Sequence, residues 1–228
     1  MGNIDIRQLL LDSCRTGTWV VAICEILILL LLYRKYEDKK KTMILCMALI
    51  TLGLVVDALV ISNGIILGSY MELLTRIRFV AHGVLIPLIL PICGYALNAR
   101  EGFMRFLWIL TLLVMAAGAA EGFATKFELV RIAGVTRMVA SEETPQWANY
   151  ITMGLSFGMV IPMLLCGLLA WIKQKNGNLF FAAFFMFLFS ALGPATGNTD
   201  LIFYVSMFGE VLMVLFMYLY ASKKYRKH

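Results

Sequence analysis

The 228 residues are 61% hydrophobic with a mean hydropathy of +0.84, against the roughly 45–50% apolar share of soluble domains. Apolar runs of about 20 residues recur along the whole length and no polar stretch is long enough for a soluble domain, which excludes an ordinary globular enzyme. The net charge of +6 lies mostly in short loops and the tail, so it sets membrane topology and excludes nucleic acid as a partner.

In chain order, residues 3–13 are expected to form a short amphipathic helix on the membrane surface. Asp5, Arg7, Asp12 and Arg15 in the first 17 residues argue against a signal peptide. A first span at 18–33 carries Glu25, and the loop 34–41 holds five Lys or Arg. A second span at 42–67 carries Asp57 and Asn63, and a Gly68-Ser69 turn leads to a third at 71–97. That third span holds Arg76, Arg78 and His82 in front and Pro87 and Pro91 behind. The loop 98–105 carries two arginines, and a fourth span at 106–122 ends in AAGAAEG, whose small residues let a neighbour approach Glu121.

Residues 123–147 form the long loop. FELVRIAGVTRMV alternates about Gly134 and predicts a short hairpin lying over the mouth of a cavity. Thr144 and Pro145 read as N-cap and first residue of the next helix. A fifth span at 147–172 contains Pro162, and a Phe-rich sixth runs over 179–192. The turn GPATGNTD precedes a seventh span at 201–221 and a basic tail. GVLIPLIL at 83–90 resembles GMVIPMLL at 158–165, a hint of a parallel repeat.

Seven spans divide the Lys and Arg residues unevenly. Thirteen fall on the side of the C-terminal tail, five on the other, and Arg76 and Arg78 lie in the third span. The positive-inside rule then predicts an outside N-terminus and a cytoplasmic C-terminus. The expected fold is all-α: one integral domain over 1–228, with multiple passes through the cell membrane.

The five cysteines have no paired spacing, and two histidines cannot make a three-His zinc site. No metal or cofactor is expected. The absence of lysine between 201 and 221 excludes a retinal Schiff base in the last span.

The ionisable residues within the spans carry the functional expectation. Each costs about 2.5–3.5 kcal/mol if left alone at a helix centre, so they must pair, be neutralised or line water. Counting ~1.5 Å per residue places them at the midplane or in the outer half of a ~30 Å core. At 100° per residue Thr75, Arg78 and His82 share one stripe, while Arg76 faces away and is placed to pair with Glu72. Gly53, Asp57 and Gly64 share a face of the second helix, as do Ser206 and Glu210 on the last.

The candidate ligand-binding residues are therefore Arg78, His82, Asp57, Glu121 and Glu210. Arginine suits carboxylate or phosphate, and histidine suits proton exchange near neutral pH. Glu25 is the shallowest of the set and reads as structural. The pattern predicts binding or transport of a polar or anionic small molecule, with the carboxylates balancing charge or carrying protons. The alternatives are an intramembrane enzyme acting on a lipid or lipid-linked substrate, with His82 or a carboxylate as base, and a seven-helix sensor.

Overall fold

A chain this apolar satisfies its backbone N–H and C=O groups within each segment, which selects helices. The structure is a computed structural model that describes residues 6–64, 66–132, 134–195 and 202–223. Its helices are α1 (Ile6–Lys39), α2 (Thr42–Ser62), α3 (Met71–Leu85), α4 (Ile89–Ala96), α5 (Glu101–Ala124), α6 (Gln146–Gln174), α7 (Asn178–Ala195) and α8 (Ile202–Ser222). Among the described residues, six stretches are long and apolar enough to cross a membrane: 13–39, 42–62, 68–96, 101–124, 146–174 and 202–222. A seventh, 178–191, is apolar but shorter. The architecture is compatible with a polytopic membrane protein.

Several expected boundaries move. The surface helix and first span are one continuous α1, and most of the expected 34–41 loop belongs to it. Lys35, Glu37 and Lys39 are good helix formers with no Gly or Pro among them, so the helix continues until Lys40 turns at φ +47°. Residues 3–5, the 196–200 part of the GPATGNTD turn and the tail beyond Lys223 lie outside the described residues. α2 stops at Ser62, five residues short of the expected end.

The third stretch is broken. Pro87 has no N–H to give and its ring crowds the preceding turn, and a 3-10 turn over Ile86–Leu88 separates α3 from α4. Pro162 instead stays inside a continuous α6, so the two similar segments take different backbones.

The predicted hairpin is present, as β1 (Phe127–Ile132) antiparallel to β2 (Val135–Ala140), with Ile132 opposite Val135 and Gly134 at φ +75°. The expected Thr144 cap is not. Pro145 occupies the N-cap position of α6, with no side-chain cap. The Thr144 hydroxyl instead bonds the N–H and C=O of Lys126, both at 3.2 Å, and closes the base of the hairpin. A hydroxyl able to bond across a hairpin does not have to cap the helix beside it.

Small residues set the close approaches. A Cβ on Gly83 or Gly118 would strike the other's backbone, which brings α3 directly onto α5. Gly122 takes Val80, Gly53 takes the Leu85 side chain, and Gly64 lies under the Thr136 carbonyl of β2. The small-residue run around Glu121 thus acts as a helix contact.

The two ends of the bundle differ. At the basic end Lys39 donates to the Ala221 carbonyl at 2.8 Å, Gln174 to that of Ala96 at 2.5 Å, and Tyr220 to Gln174 at 2.9 Å. An apolar core built on Leu32, Met47, Ile50, Ile92, Met163 and Met217 fills that half. At the hairpin end a smaller cluster gathers Cys14, Val21, Ile61, Val135, Phe203 and Met207. Val135 is the hairpin's contribution to it, so the hairpin is packed into the bundle and does not hang free.

Candidate functional site

The charged residues lie where the two clusters meet. Asp57 sits between Leu54 of the larger cluster and Ala58 of the smaller, and Glu210 between Met213 and Met207. Each helix delivers its charge to that layer because the residues a turn to either side are core-facing and fix its rotation.

Arg78 forms an ion pair with Asp57 through Nε, joining α3 to α2. Both side chains are nearly buried, with 13% and 12% exposed. The guanidinium lies 5.2 Å from the centre of the Phe79 ring, and its Nη1 is buried with no hydrogen-bond acceptor. His82, one turn on, lines the same space. Glu121 on α5 accepts hydrogen bonds at Oε1 from Thr125 at 3.1 Å and Thr152 of α6 at 2.9 Å. Glu210 on α8 is buried, and its Oε2 has no partner.

One cavity of about 190 Å³ is lined by Asp57, Arg78, His82, Glu121 and Glu210 together. All five residues singled out from the sequence therefore meet in one place, contributed by α2, α3, α5 and α8. Arg76 does not join them. It pairs with Glu72 at 3.4 Å, donates to the carbonyls of Phe123 at 2.8 Å and Thr125 at 3.3 Å, and covers the Phe127 ring. It tethers the C-terminal end of α5, where a cation meets free carbonyls.

Arg137 is one site residue that sequence reasoning missed. In sequence it is a charge of the 123–147 loop, yet it lines the cavity from β2. Its guanidinium lies 3.9 Å from the centre of the Phe203 ring, and its Nε is buried without a partner. Burial, and then the like charge of Arg78, pull it down to about 10, against the opposing pull of Asp57 and Cys14. It remains charged at neutral pH. The usable signal was the hairpin's period of two, which puts Arg137 on the same face as the buried Val135. Thr152 and Ser156, one turn apart on α6, were also missed and also line the cavity.

Glu25 lies outside the cavity lining but against the same layer. It is wholly buried, neither carboxylate oxygen has a hydrogen bond, and Glu210 and Asp57 are its electrostatic neighbours. Among the described residues, no group of three or more His, Cys, Asp or Glu is placed to hold a metal ion. The five cysteines are free.

No protein-family model matches the chain, and no curated protein matches it. The function therefore rests on the site's own chemistry.

Proposed function

We propose that this is a seven-span protein of the cell membrane, with its N-terminus outside and C-terminus cytoplasmic, that binds or transports a polar or anionic small molecule through the cavity between α2, α3, α5 and α8. The observation that carries this is the pair of unsatisfied guanidinium donors. Arg78 Nη1 and Arg137 Nε are both buried in residues lining one cavity, and neither has an acceptor. An unmade hydrogen bond to a buried charged group costs more than the ~1–3 kcal/mol of a neutral one, so such atoms mark a place where an acceptor is meant to arrive.

The placement supports an opening to the outside. The hairpin end carries few basic residues, and the cavity lies on that side of the apolar core. His82 and the carboxylates supply groups able to hand protons across the layer, which suits a proton-coupled cycle. Among the cavity hydroxyls, Ser156 and Ser206 donate back to carbonyls of their own helices, at 3.0 and 2.9 Å. That favours binding over nucleophilic chemistry.

The test is a thermal-shift screen of purified protein against small carboxylates, amino acids and phosphate monoesters, repeated on Arg78→Lys and His82→Gln. Arg78→Lys keeps the charge and removes the fork, and His82→Gln keeps polarity and removes the proton site. A compound should stabilise the wild type and lose that effect in both variants while they remain folded. Equal stabilisation of wild type and folded variants by every active compound would remove the site from α3.

A further inference from the structure

The charged cavity does not stand alone. A second, larger cavity of about 490 Å³ adjoins it, and the two share His82, Thr152, Leu155, Ser156 and Glu210 in their walls. At about 190 Å³ the charged chamber falls short of the ~300–1,000 Å³ usual for small-molecule sites, while the second lies within that range. The second chamber is apolar. Leu54, Ile89, Met159 and Met213 line it, and all four have neighbours in or membership of the large core of the basic half. From His82 to Ile89 it descends about 10 Å along the third stretch.

It also opens sideways. α6 and α7 pack closely near their connection, where Gly167 meets the backbone of Phe180 and Trp171 packs on Phe180 and Phe181 at 5.5 and 5.3 Å. Further along, the facing residues Phe157 and Phe187 line the chamber and are still 54% and 42% exposed. That gap faces the surface the bilayer would cover.

Resting on the function proposed above, we infer that the ligand is a single-chain lipid: a small head that both accepts and donates hydrogen bonds sits in the charged chamber, and its one apolar chain lies between α6 and α7, reached laterally from the bilayer. The head must offer an anionic oxygen to Arg78 and Arg137, whose free donors face no acceptor, and a donor to the unpartnered Oε2 of Glu210. A phosphate ester carrying an amine or hydroxyl has both. The chain needs one apolar slot that begins at the depth of the head and runs toward the opposite face. The second chamber is that slot, since Ser156 and Glu210 stand at its junction with the first.

The test is native mass spectrometry of the full chain released from phosphatidylcholine nanodiscs doped with palmitoyl-lysophosphatidylethanolamine, with soluble glycerophosphoethanolamine, the same head without the chain, run in parallel. The lysolipid should appear as one adduct per chain at a total concentration at least about a hundredfold below that needed for the soluble head, because its chain confines it to the membrane at the right depth. Arg137→Gln should abolish both adducts. Ala191→Trp, at the mouth of the gap, should weaken the lysolipid at least about tenfold, and Val160→Phe, inside the slot, serves as an independent second obstruction, each judged only on protein whose melting temperature is retained.

Equal binding of lysolipid and soluble head, unaffected by the two obstructions, would overturn the lipid inference and leave the polar-ligand function standing. Absence of both adducts would overturn the lipid inference and leave the polar-ligand function to the thermal-shift screen. A second copy of the chain seated without lysolipid, and lost in Ala191→Trp, would show that the gap is an interface between copies, which also overturns the lipid inference.

Discussion

Replacing Arg137 with Gln should make the protein more stable and less able to bind. The guanidinium is held down to about 10, well below the ordinary arginine value, chiefly by burial. The sign follows from where the group titrates. Below about 10 it is charged both folded and unfolded, so the folded state alone carries the desolvation and the repulsion from Arg78. That cost is relieved only as pH rises above about 10, toward the ordinary arginine value. At ~1.4 kcal/mol per pH unit the drop corresponds to about 3 kcal/mol at neutral pH. The stacking on Phe203, worth about 0.5–2 kcal/mol, and the packing of the stem offset part of it. Arg137→Gln should therefore stabilise by about 1–2 kcal/mol, which for a chain of this length raises the melting temperature by roughly 2–8 °C. Thermal unfolding in nanodiscs at pH 7 measures this, with Arg137→Lys as the charge-retaining control that should show no gain. Loss of more than about 1 kcal/mol in Arg137→Gln would show that Arg137 is structural and not a charge held at a cost for a ligand.

The Asp57–Arg78 pair predicts the opposite sign. Asp57→Asn should cost about 3–5 kcal/mol by stranding Arg78, and adding Arg78→Gln should recover part of it; chemical denaturation that showed additive losses would contradict a pair. Gly118→Ala should lower stability by about 1–3 kcal/mol because the new methyl meets the Gly83 backbone, which cannot turn aside, whereas Gly154→Ala, with open space around it, should be tolerated. Melting curves of the two alanine variants side by side decide this. A reporter requiring the cytoplasm should be active fused at His228 and silent in the 127–140 hairpin; activity at both places would refute the proposed seven-span topology. Cleavage by trypsin at Arg131, an exposed hairpin residue, should slow when the cavity is occupied. Unchanged cleavage under saturating ligand would mean that the hairpin is fixed and does not cover the mouth.

Membrane helices are legible in sequence because the bilayer imposes length and composition on each segment independently of its neighbours. The hairpin was legible for a related reason: its alternation and Gly134 are local. So was the grouping of Arg78 with His82, since one helical turn places both on a stripe. The meeting of Asp57, Glu121 and Glu210 with that stripe could be argued from the cost of isolated charge, but only packing decided it. Gly83 on Gly118 and the Asp57–Arg78 pair set which faces of α2, α3 and α5 turn inward. Arg137 escaped because it lies outside every apolar run, and nothing local says that a hairpin folds back to put its guanidinium on Phe203. The apolar chamber beside the charged one was equally invisible. Leu54, Met159, Met186 and Met213 read as ordinary core filler, and a void is a property of how surfaces fail to meet, which no single segment encodes.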